Sequence, residues 1–271
     1  MLLTKYSIRD GMRWAMDGHL LPSSFTLSTL LELPSKAMIP LLRTLSQGQA
    51  ALGVEAAPID PNQEVWAAGV TYLRSREARR VESTVADMYD RVYEAARPEL
   101  FFKSLGWRVV GNHMPIRIRA DSHWNVPEPE LVLVINHQRE IVGYCAGNDV
   151  SSRDIEGENP LYLPQAKMYN GSCALGHGIW LCKPDEIHAI PIQLKIQRAN
   201  ETVFSDEITT FTMKRTFSEL VEYLTFEMDF PQGVFLMTGT GLVPGNEFTL
   251  QPADVVSIRV GELMIENQVE S

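Results

Sequence analysis

Long apolar runs are missing from this chain. No stretch approaches the roughly 20 apolar residues that a membrane-spanning helix needs, so a membrane is not among the expected partners. The opening MLLTKYSIRDGMRW meets charge before a long apolar segment forms, and it does not read as a signal peptide. Cysteine is scarce: Cys145, Cys173 and Cys182 are odd in number and have no regular zinc spacing. They give no disulfide framework and fit a reducing, cytoplasmic setting, where their simplest role is to fill the core. Basic charge is scarce as well, with 24 Lys and Arg against 34 Asp and Glu for a net charge of −10. That balance argues against nucleic acid as a partner, because phosphate contacts need clustered cations. An anionic substrate would need local help from a cation or a few basic side chains. Internal repeats and low-complexity tails are also absent.

What is present is enough for a substantial core: 271 residues, 45% of them apolar. Residues 1–60 read as a small N-terminal domain, in which SSFTLSTLLELPSKAMIPLLRTL is a Pro-broken helical pattern and Pro58 and Pro61 mark a connector. Residues 61–271 read as a second, larger domain. VWAAGVTYL is a short buried strand. RSREARRVESTVADMYDRVYEAARPELFF is best read as a helix with a thin apolar stripe, suited to a lid. From about residue 107 the pattern turns to strands: PIRIRA, ELVLVIN, EIVGYCAGNDV, HAIPIQLKIQRA, ETVFSDEITTFTMK, GVFLMTG, EFTLQ, VVSIRVG and ELMIENQV, with one helix at FSELVEYLTFEM. Regular β-α-β alternation is lacking. The expected fold is mixed α/β and β-rich, a β-roll or barrel with covering helices.

Two carboxylates stand out in WNVPEPELVLVIN. Glu128 and Glu130 are two apart, so on a strand both leave from one face. Pro127 and Pro129 hold Glu128 extended. Like charges side by side are costly unless a cation or a proton intervenes. If 131–136 and 141–147 pair around the polar turn 137–140, the far end of that hairpin brings Asp149 back to the pair. Three carboxylates with no Cys or His favour a hard cation, Mg²⁺, with Mn²⁺ or Ca²⁺ as alternatives. The competing account is a solvent-facing strand edge.

EPELVLVI, GYCAGNDVSSRDIE, QAKMY, GSCALG and LMTGTG together resemble the fumarylacetoacetate hydrolase (FAH) family over residues from about 64 to 271. The resemblance implies a β-rich mixed fold, a homodimer, and a metal triad of Glu128, Glu130 and Asp149. It matches Lys167 to the family's active-site lysine and Thr240 to a loop touching the substrate carboxylate. Its substrates are 2-oxo acids and diketones. Hydrolytic members carry G-x-N-Y-x-x-H after the first strand of the large domain. Here that stretch is GVTYLRS, with Thr71 in place of Asn and Ser75 in place of His. Hydrolysis driven by that His is therefore in doubt. The stretch SSRDIEGENPLYLPQAK is most similar to the branch containing 2-keto-3-deoxy sugar-acid dehydratases. The reading is a metal-dependent lyase acting through an enolate; the alternative is a metal-dependent hydrolase or isomerase of an acylpyruvate-type intermediate.

In that chemistry Lys167 is the candidate base, or the cation beside the enolate. Glu77, Glu82 and Glu94 in the lid are candidates for the general acid, with Glu77 favoured. Lys103, after two aromatics in ELFFK, is a candidate substrate contact. Arg153 reads equally as a substrate contact and as a structural ion pair. Thr240, between Gly239 and Gly241, reads as an anion-receiving turn or a plain glycine turn. His123, His137, His177 and His188 lack ligand spacing and read as structural or solvent-facing.

Overall fold

Alternating side chains set the layers. The structure, a computed structural model, describes residues 1–46, 48–73 and 86–271. Its strands are β1 (Leu2–Ile8), β2 (Gly11–Met16), β3 (His19–Leu20), β4 (Val54–Ala56), β5 (Glu64–Gly69), β6 (Glu99–Leu105), β7 (Ile116–Arg117), β8 (Asn125–Val126) and β9 (Pro129–Ile135). They continue as β10 (Ile141–Asp149), β11 (Ser151–Ser152), β12 (Cys173–Leu181), β13 (Pro191–Arg198), β14 (Glu201–Thr209), β15 (Val234–Met237), β16 (Val255–Val260) and β17 (Leu263–Glu270). The α-helices are α1 (Leu27–Leu31), α2 (Ser35–Leu45), α3 (Ala86–Glu94), α4 (Arg153–Glu158), α5 (Leu163–Lys167) and α6 (Phe217–Thr225).

Ten strands make the first sheet, in the order β3-β2-β1-β12-β10-β9-β15-β5-β6, with β4 also on β1. A five-stranded sheet, β14-β13-β16-β17-β7, packs over it where β16 and β17 meet β9, β10 and β12. The strand order leaves free edges, so there is no closed barrel among the described residues. The fold is a β-rich α/β arrangement with helices over a sheet core. Ile192, Leu194 and Ile196 of β13 are buried on one face between exposed Gln193 and Lys195, as period-two alternation requires. β9 instead is buried at every position. It lies in the middle of the first sheet, and each buried Leu, Ile or Val there contributes about 1.5–3 kcal/mol.

The leading 60 residues enter the first sheet through β1, which pairs with β12 at Leu2↔Trp180 and Leu3↔Ile179. A buried polar knot ties the same segment down. Asp60 accepts from Trp14 Nε1 at 3.3 Å and from Ser28 N at 2.8 Å, and Lys5 Nζ donates to the Ile59 carbonyl at 2.5 Å.

Two details differ from the sequence reading. EFTLQ forms no strand: Leu250 N donates to Asn125 O at 2.8 Å, which holds this segment against β8 as irregular chain. The helix expected from residue 74 is described only as α3, and Glu77 and Glu82 lie outside the described residues. The C-terminal end of α3 is clamped by Arg215, which donates to the carbonyls of Val92, Ala95 and Ala96 at 3.2, 2.6 and 3.0 Å. A guanidinium there meets the helix's unpaired carbonyls and its negative dipole end.

Candidate active site

The hairpin β9–β10 builds the site. Glu130 lies opposite Gly147 and Pro129 opposite Asn148, and Asp149 N donates to Glu128 O at 2.9 Å. Asp149 therefore sits across from Glu128, with Glu130 two residues along on the same face. Glu128, Glu130 and Asp149 are all buried, and one ligand oxygen from each lies within 4.8 Å of the others.

Basic side chains and one backbone N–H tether the carboxylates. Glu128 receives Arg153 Nη2 at 3.0 Å and Lys167 Nζ at 2.8 Å. Asp149 Oδ2 receives Lys167 Nζ at 3.1 Å. Glu130 Oε2 accepts from Gly239 N at 2.5 Å. Gly239 can aim its N–H this way because its φ is +93°, and a Cβ there would collide with Thr71 Oγ1. Thr71 Oγ1 in turn donates to Thr238 O at 2.7 Å, which ties the end of β5 to the loop after β15.

Electrostatics set Glu130 apart. Burial, then the charges of Asp149 and Glu128, hold its pKa well above the ordinary carboxylate value, opposed by Lys167 and the Gly239 N–H. Asp149 Oδ1 is paired with the Lys103 ammonium at 2.5 Å. Three buried carboxylates whose oxygens converge within 4.8 Å fit a hard divalent cation, and the all-oxygen donors suit Mg²⁺.

Lys167 ends α5, buried between two of these carboxylates and 5.8 Å from the Phe101 ring centre. Its cavity is lined by Gly69, Val70, Glu99, Phe101, Glu128, Asp149, Glu156, Lys167 and Thr240. Arg153 reaches in from the first turn of α4 to pair with Glu128, and Thr240 forms part of the wall. Lys103 is not among the lining residues. It lies behind Asp149, fully buried, and donates to the carbonyls of Val150 and Lys167 at 3.1 and 2.6 Å. Glu94 is paired outside, with Lys214 at 3.2 Å. A larger cleft of about 1260 Å³ lies between α2 and α6 and contains none of the triad; the chemistry places the site in the smaller cavity.

Two cavity carboxylates were not among the candidate site residues read from the sequence, Glu99 and Glu156. Glu156 is buried and accepts from Ser151 Oγ at 2.9 Å. Its signal was present in SSRDIE, three residues after Arg153 and so on the same side of a helix. Glu99 and Phe101 alternate onto one face of β6. Glu99 pairs with Gly69 across β5–β6, and a Cβ at position 69 would strike its carboxylate. The ELFFK spacing alone carried no sign of that approach. Val70, which follows, has φ +53°, a strained value for a β-branched residue.

Comparison with known proteins agrees with this geometry. Residues 64–270 match the family described as fumarylacetoacetate (FAA) hydrolase, C-terminal. A Haloferax volcanii protein named "Probable 2-keto-3-deoxyxylonate dehydratase" is 47% identical over 206 residues, covering 75% of this chain and 70% of that protein. The 2-dehydro-3-deoxy-D-arabinonate dehydratase of Saccharolobus solfataricus is 42% identical over 214 residues, covering 76% of this chain and 70% of its own. A solved 2-keto-3-deoxy-D-arabinonate dehydratase in complex with magnesium and 2,5-dioxopentanoate superposes with a TM-score of 0.84 at 32% identity, covering 100% of this chain and 99% of that one.

Proposed function

The chain belongs to the fumarylacetoacetate hydrolase family, and from that premise we propose that it is a magnesium-dependent lyase that dehydrates a 2-keto-3-deoxy sugar acid. The observation that carries the reading is the triad of Glu128, Glu130 and Asp149 with Lys167 between two of its members, Glu128, Asp149 and Lys167 lining one cavity with a further carboxylate, Glu99. The similar dehydratases point to the same substrate class.

Glu128, Glu130 and Asp149 would hold the magnesium, which when bound supplies Lewis-acid polarisation of the substrate carbonyl. Lys167 would take the proton from C3 as the free amine, a form that a divalent cation held by Glu128 and Asp149 would favour by charge repulsion, and after the transfer it would stand as an ammonium beside the developing enolate. Glu99 is the group placed to give a proton to the C4 hydroxyl. The C3–H and C4–O bonds break, a C3=C4 double bond forms, and one water leaves with no change in oxidant or reductant. Arg153 orients Glu128, while Thr240 contributes to the wall that receives the substrate. Glu77 remains a second candidate for the acid.

The hydrolase alternative has less support. Thr71 replaces the Asn of the hydrolytic motif, its hydroxyl is committed to Thr238 O, and position 75 is Ser.

The test incubates the protein with Mg²⁺ and a panel of 2-keto-3-deoxy pentonates and hexonates beside acylpyruvates. Loss of water without carbon–carbon cleavage is expected, and release of pyruvate would overturn the reading. In the same assay Glu99→Gln is expected to lower kcat about 10²-fold, the usual size of a lost general acid. A rate within about threefold of the wild type would remove Glu99 from that role.

A further inference from the structure

Glu99 and Phe101 stand two apart on β6 and share one face, and Lys103 follows where the β5–β6 register shifts between Phe102 and Ser104. Glu99 and Phe101 reach the cavity; Lys103 behind them is fully buried. Its ammonium touches three parts of the site at once. It lies 2.5 Å from Asp149 Oδ1, donates at 3.1 Å to the carbonyl of Val150 just past β10, and donates at 2.6 Å to the carbonyl of Lys167 where α5 ends. An ammonium is costly to bury unless it is paired, and an apolar side chain could fill this position without that cost. The contacts it makes therefore indicate its use.

We infer that Lys103 is a positioning residue: it holds the Asp149 carboxylate and the backbone of Lys167 at a fixed separation, which tunes the site to a small dication and aligns Lys167 with substrate. The inference rests on the metal-site reading above. Mg²⁺ demands near-ideal octahedral contacts at about 2.0–2.1 Å, whereas Ca²⁺ accepts looser ones at about 2.3–2.6 Å. A carboxylate that cannot shift favours the smaller ion. Removing the Lys103 charge acts on both dications alike, so the ratio of their affinities isolates the positioning effect.

The experiment compares the full-length wild type with Lys103→Met, measuring Kd for Mg²⁺ and for Ca²⁺ by calorimetry, and kcat and KM with Mg²⁺. The expected result is a shift of the affinity ratio toward Ca²⁺ by about 10-fold, and a kcat lower by about 10–100-fold with KM within about threefold. A ratio and a kcat both within about twofold of the wild type would overturn the inference. If Lys103→Met does not fold, Lys103→Gln, which keeps N–H donors for the two carbonyls, is read in the same way. Failure of both variants to fold in the presence of Mg²⁺ would assign Lys103 to fold stability alone and also overturn it. A wild type that binds neither dication would instead sink the metal-site reading, which keeps the two failures distinguishable.

Discussion

Lys167→Met is expected to lower kcat about 10³-fold while Mg²⁺ still binds. The side chain is fully buried, and its ammonium spans Glu128 at 2.8 Å and Asp149 at 3.1 Å. No other lysine lines the cavity among the described residues. Methionine keeps the length and the apolar stem beside Phe101, so packing changes little. What is lost is the group that would take the C3 proton. The metal-free variant also carries carboxylates without their shared cation and should unfold at lower temperature, a loss that Mg²⁺ largely restores. Steady-state kinetics at saturating Mg²⁺ and thermal unfolding with and without the ion check both parts. A kcat within about tenfold of the wild type would exclude Lys167 as the base.

Glu130→Gln should raise the Kd for Mg²⁺ by at least about 10²-fold, more than loss of a supporting residue costs. The amide oxygen can still accept from Gly239 N, so the loop after β15 has reason to stay in place. The substitution also has a pH signature. Burial and the charges of Asp149 and Glu128 hold the Glu130 pKa well above 4.5. The folded chain thus binds this proton more tightly than the unfolded chain does. The stability contributed by the protonated carboxyl is complete below about pH 4.5 and is lost as pH rises toward the folded pKa. Without metal, the wild type and Glu130→Gln should unfold at similar temperatures near about pH 4, and the variant should become the more stable as pH rises. A constant difference across that range would show that folding leaves the Glu130 pKa unshifted. Saturating Mg²⁺ should reverse the order, because only the wild type binds it tightly.

The triad was legible in the sequence because it depends on local rules. A separation of two puts Glu128 and Glu130 on one strand face, and a short polar turn brings Asp149 back across from Glu128. Lys167 carried no such mark. Its placement depends on α5 docking against α4 and β11, and only the motif resemblance pointed to it. Lys103 was expected against substrate, but two aromatics before a lysine do not say how deep the strand runs, and it lies behind Asp149. Glu99 was missed because its reach depends on Gly69 of a neighbouring strand. The barrel expectation followed from strand count, and count alone does not tell whether the two edges of a sheet meet. The strands β1 to β3 at the chain start were not anticipated. Their partner β12 lies far away in sequence, and tertiary pairing set their conformation.

The pairing of β9 with β10 has one more consequence. A slip of a single residue along this hairpin would turn every side chain of the moving strand to the opposite face. Glu128 and Glu130 would then part from Asp149, and the ion's three oxygens could no longer meet. Magnesium binding would therefore proofread the central hairpin: only the correctly aligned chain could be loaded, and loading would stabilise that alignment over its neighbours by mass action.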